Sequence, residues 1–486
     1  MEKQLLPSVE ENIRLFQQLF EGDSTVIYRR FATGGASPLS CCMIYCDGMV
    51  NNLVINQSVL MALHGFAYEN FSPKADRLET IARHGLQINE IKRTRDVDSI
   101  VRSIVYGDTL LLCQGCEDGL ILNTKGFTMR SISEPDAEQV VRGPHEGFTE
   151  GILMNISMLR RKLRTPDLKF EFIELGEKTK TTVCLCYLKG TTPDSLLETL
   201  RGRLRSISID GILDANYIQE LIRDRPFSSF KTIGNTERPD VVTSKLLEGR
   251  AAILVDGSPV VLTAPYILME QFQSSEDYYV SWHYAAIGRM IRILGFFFSL
   301  SIVPVYVALI TYHREMLPAP LLFSISSARE GVPFSSFFES LLLLGAFEIL
   351  RESGSRTPSG IGTALSIVGA LVVGQAAVDA RFISAPMVII VAFSGITGLM
   401  MPRLIGSILL WRFLLLLMAG WLGLYGYLLG MLTLLAHLCS LSSFGVPVLS
   451  QAAPLADRHE DSYIRYPWRF MRGFGRFLSE DRHEKN

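Results

Sequence analysis

Along the chain, apolar residues follow two different rules. Up to about residue 285 they come in short runs broken by Gly, Pro and charge. Beyond that they merge into stretches long enough for lipid. Residues 293–312 (ILGFFFSLSIVPVYVALITY) contain no charge at all. A helix rises about 1.5 Å per residue, so roughly twenty residues cover the ~30 Å hydrocarbon core of a bilayer. Residues 333–350, 361–378, 382–401 and 413–438 are further candidate spans, and 318–328 is too short to cross and reads as re-entrant. The expected architecture is therefore an α/β soluble region in front of an all-α multi-pass transmembrane domain.

Within the soluble part the pattern repeats. Cys42-Met-Ile-Tyr-Cys-Asp-Gly48 resembles Cys184-Leu-Cys-Tyr-Leu-Lys-Gly190, and Gly107-to-Gly115 resembles Gly249-to-Gly257; both pairs are offset by 142 positions. Each half reads as an apolar strand, then helical pattern, then two strands joined at Gln114-Gly115 or Asp256-Gly257, residues suited to positive φ. Two related subdomains are expected, at 1–145 and 146–285. A membrane domain follows at 286–440, and a tail at 441–486.

The membrane domain poses a counting problem. Arginine collects on the cytoplasmic side of spans. Arg289, Arg292, Arg351, Arg356, Arg403 and Arg412 agree with five crossings, which would export the Arg-rich tail. Four crossings keep the tail inside but move Arg351 and Arg356 out, so 333–350, with Glu339 and Glu348, is the suspect span. In the tail, Arg465, Arg469, Arg472 and Arg476 alternate with Phe470, Phe474 and Phe477. That spacing suits a basic, aromatic helix on an anionic lipid surface or a plain polar tail.

Composition excludes more than it assigns. Net charge is -2 and mean hydropathy +0.24, which gives no reason to expect a nucleic-acid partner. The eight cysteines fit a reducing compartment. Cys113-x-x-Cys116 lacks the second pair or histidines of a metal site. No phosphate loop, nucleophile elbow or zinc-protease motif is present, so no enzyme activity and no cofactor are expected. Ionisable and polar groups at bilayer depth are the candidates instead. Glu339 shares a helical stripe with Ser335 and is expected on an inner face. Thr363 and Ser366 belong to a small-residue stripe that permits close helix packing or lines a pore. Gln375 lies off that stripe and needs a partner. Arg381 could set the charge at a pore mouth.

Several blocks carry a family resemblance: residues 141–150 (VRGPHEGFTE), 236–240 (TERPD), 255–259 (VDGSP), 275–279 (SEDYY), 331–334 (GVPF), 366–370 (SIVGA), 374–378 (GQAAV) and 443–447 (SFGVP). In that order they resemble the A subunit of the GerA family of spore germinant receptors. The motif residues are Arg142, Glu146, Glu237, Arg238, Asp240, Asp256 and Asp277.

The resemblance implies a protein of the spore inner membrane whose N-terminal domain faces the core. It implies assembly with a permease-like B subunit and a lipoprotein C subunit. It also implies a homo-oligomer, embedded in membrane lipid, that releases cations as a nutrient-gated channel. A membrane-anchored scaffold and a secondary transporter are the alternatives. Residues 228–232 (SSFKT), Arg381, and Ser353 with Ser355 depart from the family pattern.

Overall fold

The computed structural model describes residues 4–35, 38–66, 76–126, 138–356, 372, 374–450 and 461–470. They fall into two compact units. One comprises Met1–Pro226 and Ile233–Pro265, the other Phe227–Thr232 and Tyr266–Met471. The α/β unit thus ends at Pro265, earlier than the boundary expected near 285, because Leu268, Met269 and Phe272 are buried with the helices instead.

The α/β unit opens with helix α1 (Val9–Leu19) and strands β1 (Val26–Ala32) and β2 (Ser40–Cys46). Helix α2 follows, running from Asn52–Val54 through a π-helical stretch, Ile55–Met61, to Ala62–His64. Next come α3 (Arg77–Thr80, continuing as Ile81–Gly85), β3 (Ile91–Thr94), α4 (Val97–Val105), β4 (Thr109–Cys113) and β5 (Gly119–Leu122). The second half repeats the list: α5 (Ile152–Lys162), β6 (Leu168–Leu175), β7 (Thr181–Leu188), α6 (Asp194–Arg205), α7 (Ala215–Ile222), β8 (Gly234–Thr236), α8 (Pro239–Leu247), β9 (Ala251–Val255) and β10 (Val261–Ala264). The two antiparallel sheets share one topology, β1-β2-β4-β5-β3 and β6-β7-β9-β10-β8.

The repeat reaches the hydrogen-bond register. Cys42 pairs with Leu112, and Cys184 pairs with Leu254. Val26 pairs with Cys46 as Leu168 does with Leu188, and Thr94 pairs with Gly119 as Thr236 does with Val261. Each correspondence is the same 142-residue shift. The glycines that the pattern singled out share a backbone state: φ is 76° at both Gly48 and Gly190, 99° and 87° at Gly107 and Gly249, and 79° and 85° at Gly115 and Gly257. Only glycine adopts such angles without strain, so both halves had to keep it.

The second half has one residue fewer between its first helix and its first strand. Asn12 clasps the backbone of Leu6, and Asn155 clasps Thr149, a shift of 143.

Each sheet buries an apolar face under its helices. Phe16, Ile44, Ile100 and Leu110 form part of the first core; Leu159, Phe170, Leu246 and Leu254 form part of the second. The halves are joined by a buried ion pair, Arg160 Nη2 to Asp23 Oδ2 at 2.5 Å, with both side chains inaccessible to solvent. Around it, Lys169 Nζ donates to Leu19 O (3.1 Å) and Ser24 N to Phe170 O (2.9 Å).

The other unit is helical: α9 (Trp282–Tyr312), α10 (Ala319–Ala328), α11 (Ser336–Arg356), α12 (Ala385–Leu399) and α13 (Ile405–Cys439). A small β11-β12 ribbon (Ser442–Ser443, Val446–Pro447) follows. Among the described residues two helical stretches, Trp282–Tyr312 and Pro402–Cys439, are long and apolar enough to cross a membrane.

The second of these is not one rod. Gly423 takes φ 60° and ψ -141°, and the chain doubles back there. The rings of Trp411 and His437 lie 5.7 Å apart, whereas a straight helix would hold them about 39 Å apart. A Cβ on Gly426 would sit 2.0 Å from Met418 O, and one on Gly430 would sit 2.6 Å from Leu415. The single expected span at 413–438 is therefore a helical hairpin with arms 405–422 and 424–439. Its closure depends on glycine at the contact points.

Candidate functional site

The motif residues of the α/β unit converge on its second half. Arg238 is buried just before Pro239 starts α8, and its Nη2 donates to Pro144 O and Asp240 Oδ2, both at 2.9 Å. Phe148 N donates to Glu237 O (2.7 Å), and Glu237 N to Glu138 Oε2 (3.2 Å). Asp256 Oδ1 accepts from Ile152 N (3.2 Å) at the exposed start of α5, where a helix has unsatisfied N–H groups.

Glu146 bonds Arg161 and Lys162 at 3.0 and 3.1 Å. Burial pushes its carboxyl up, but those two cations outweigh it and hold it below the usual range. Arg142 is exposed. Blocks 141–150, 236–240 and 255–259 thus form one clasp that pins the linker between the repeats.

Asp277 does similar work at the foot of α9. It accepts from Arg292 Nη2 (2.6 and 2.7 Å) and lies 3.4 Å from Arg289 Nη2. Arg289 reaches on to Asp461 Oδ1 (2.9 Å) and Ser462 O (3.1 Å). Tyr278 donates its hydroxyl to Asp461 Oδ2 (2.5 Å). Arg465 is buried against the rings of Tyr278 and Trp468, at 5.8 and 5.2 Å, and its Nη1 donates to Val280 O at 3.4 Å. This corrects the lipid-surface reading at Arg465: residues 461–470 are turns packed on α9, because two aromatic faces and a backbone carbonyl take up its guanidinium within the protein. Residues 472–477 lie outside the described residues.

Deeper in the helical unit both glutamates are paired. Glu339 is fully buried. Its Oε1 meets Arg329 Nη2 at 3.0 Å, and its Oε2 accepts from Ser384 N (3.1 Å) and Ser384 Oγ (2.7 Å). The carboxylate therefore sits at the N-terminus of α12, where the helix dipole favours negative charge. Glu348 pairs with Arg351 and lies 3.8 Å from the buried Arg412, whose Nη2 also approaches Ser299 Oγ (3.4 Å). Such pairs replace hydration that lipid cannot offer.

Ser335, expected on the stripe with Glu339, is exposed and precedes α11, accepting from Glu339 N at its carbonyl (2.9 Å). Being outside the helix, it does not share that face. Gln375 is exposed and donates to Asp379 Oδ1 (3.1 Å), one turn along its own helix. Arg381 has φ 56° and packs over Gly331. Thr363 and Ser366 lie outside the described residues. Cys113 turns to Cys41 (Sγ–Sγ 3.4 Å) rather than to Cys116, and among the described residues no group of metal-ligating side chains gathers.

Sequence reasoning missed the partners Arg329 and Arg412 and the hinge at Gly423. The run Gly420, Gly423, Gly426, Gly430 inside a long apolar stretch was the available signal for the hinge.

A duplicated α/β unit continues into a bundle of apolar helices held by buried ion pairs, with two helical stretches long and apolar enough to cross a membrane among the described residues. Similarity to known proteins names the class. Residues 14–474 match the Bacillus/Clostridium GerA spore germination protein family, and the chain belongs to that family. It is 40% identical to Spore germination protein KA of Bacillus subtilis over 465 residues, covering 95% of this chain and 85% of that one. It is 39% identical to the uncharacterized membrane protein YfkQ of Bacillus subtilis, covering 96% and 90%. With Spore germination protein GerLA of Bacillus cereus the identity is 34%, covering 88% and 87%. The crystal structure of the N-terminal domain of the A subunit of the Bacillus megaterium spore germinant receptor GerK3 covers 55% of this chain and 98% of its own at 32% identity, with TM-score 0.45.

Proposed function

We propose that this chain is the ion-conducting A subunit of a nutrient-responsive germinant receptor. It acts as a homo-oligomer in the spore inner membrane, with its α/β unit on the core side and with a permease-like B subunit and a lipoprotein C subunit as partners.

The reading of orientation rests on helix direction. The Gly423 tip packs on Tyr312 and His313, and Tyr312 Oη donates to Gly420 O (2.7 Å). Both ends of the hairpin therefore return toward the Trp282 end of α9. Helices α11 and α12 run the same way as each other. Phe337 contacts Gly420 near the tip while Glu348 meets Arg412, and Ser384 meets Glu339 while Gly398 meets Ser299. With the span expected at 361–378, which lies outside the described residues, α9, α11, α12 and the two hairpin arms would make six crossings and leave the tail beside the foot of α9. Arg289, Arg292, Arg351, Arg403 and Arg412 then all lie toward one side, as the positive-inside rule asks.

Conduction rests on one observation. Gln375 and Asp379 are exposed polar side chains on a unit that also exposes large apolar residues such as Leu410, Leu417, Trp421 and Leu432. Exposed polar groups at membrane depth need water or another subunit. The test is nutrient-triggered potassium flux through the receptor reconstituted with its B and C subunits. The expected result is an oligomer whose flux changes with Gln375→Ala. Strict monomers, or flux indifferent to removing this chain, would refute the proposal.

A further inference from the structure

Residues Phe227–Thr232 belong to the helical unit, although the chain on both sides of them, to Pro226 and from Ile233, belongs to the α/β unit. This six-residue finger is seated at the foot of the α13 hairpin and touches both arms. Ser407 Oγ, on the first arm, donates to Ser229 O at 2.6 Å. On the second arm, His437 Nε2 lies 3.0 Å from Ser228 Oγ.

Phe230 is buried, with its ring 6.1 Å from the ring of His437, which in turn lies against Trp411. Ser443 Oγ, just beyond the hairpin, donates to Thr232 O at 2.5 Å and accepts from Tyr266 N at 2.9 Å. The finger therefore holds the two feet of a hairpin whose far end turns on a single glycine.

We propose that Ser228, Phe230 and His437 are positioning residues through which the α/β unit sets the spacing of the α13 arms, and so sets whether the receptor responds. A hairpin closed at one end by Gly423 has its remaining freedom at the other, and that end is the one the finger occupies. A displacement of the α/β chain at Pro226 or Ile233 enters the membrane helices there by covalent continuity. The inference rests on the germinant-receptor reading above.

The experiment uses spores in which this chain, with its B and C partners, is the sole receptor. Germination is timed by dipicolinate release in a mixture of amino acids, nucleosides and sugars, and receptor abundance in the inner membrane is measured by immunoblot. Spores deleted for this chain test the receptor reading by themselves: an undiminished response to the mixture would remove it. For the finger, Phe230→Ala and His437→Leu are each expected to slow the response at least tenfold at unchanged abundance.

Ser228→Ala should slow His437→Leu spores by much less than it slows wild type, because the two share the Ser228–His437 contact; what remains is the loss of Ser228 Oγ as acceptor for Phe230 N (3.2 Å). His437→Gln, which can still bond Ser228, should restore most of the rate. Single variants that germinate at the normal rate overturn the proposal. So does a loss of rate that only follows a loss of protein, or a double variant whose defect is the product of the singles.

Discussion

Replacing Arg160 by leucine should loosen the join between the two α/β repeats more than any surface change could. Arg160 and Asp23 are wholly buried and 2.5 Å apart, and the guanidinium also lies 4.8 Å from the centre of the Phe170 ring. In Arg160→Leu the carboxylate keeps two donors, Thr25 N (3.0 Å) and Thr25 Oγ1 (2.7 Å), but no counter-charge. Stranding one partner of a buried pair costs about 3–5 kcal/mol. For a domain of this size that is a fall in melting temperature of roughly 10 °C.

Removing both charges, Asp23→Leu with Arg160→Leu, should recover most of the loss, since a buried pair replaced by apolar groups is often neutral. The assay is urea and thermal unfolding of a fragment ending at Pro265. A single-variant loss under about 1 kcal/mol, or a double variant no better than the single, would refute the reasoning that burial makes this pair a join.

Three further outcomes follow from the geometry. Glu339→Ala should destabilise the detergent-extracted chain by about 3–5 kcal/mol by orphaning Arg329 and Ser384, with Glu339→Gln between it and wild type; thermal aggregation curves would rank the three. Gly423→Ala should cost about 1–3 kcal/mol of backbone strain, and more if His313, 2.8 Å from the new Cβ, cannot move; loss of detergent-soluble protein at moderate temperature is the readout. Burial raises the thiol of Cys42 to about 12 and that of Cys46 to about 11. At pH 8 neither supplies thiolate, so maleimide should label the exposed Cys439 in the native chain and reach Cys42 and Cys46 only after denaturation, as peptide mass spectrometry would show.

The α/β part was legible because its physics is local. Strands alternate or run apolar, and turns demand glycine. The same demand at Gly48 and Gly190, and again at Gly115 and Gly257, left a duplicate trace where side chains had diverged. The helical part was legible in composition but not in path. A helix that is apolar on all sides carries no stripe to say which way it faces, and two arms of a hairpin read as one long span. Arg412 looked like an interfacial marker because nothing near it in sequence reveals Glu348, and Arg329 sits in a loop ten residues from its partner. Arg465 looked solvent-bound for the same reason: its partners, Tyr278 and Val280, are nearly two hundred positions away.

The hairpin also limits what this polypeptide can meet from the spore exterior. In the proposed orientation, with both feet of α13 and the tail on the core side, the described residues on the outward side are the connectors around 313–318, 329–335 and 380–384, helix α10 between the first two, and the bend at Gly423. On the proposed reading, recognition of the nutrient falls to the permease-like B subunit, and this chain converts it into permeability.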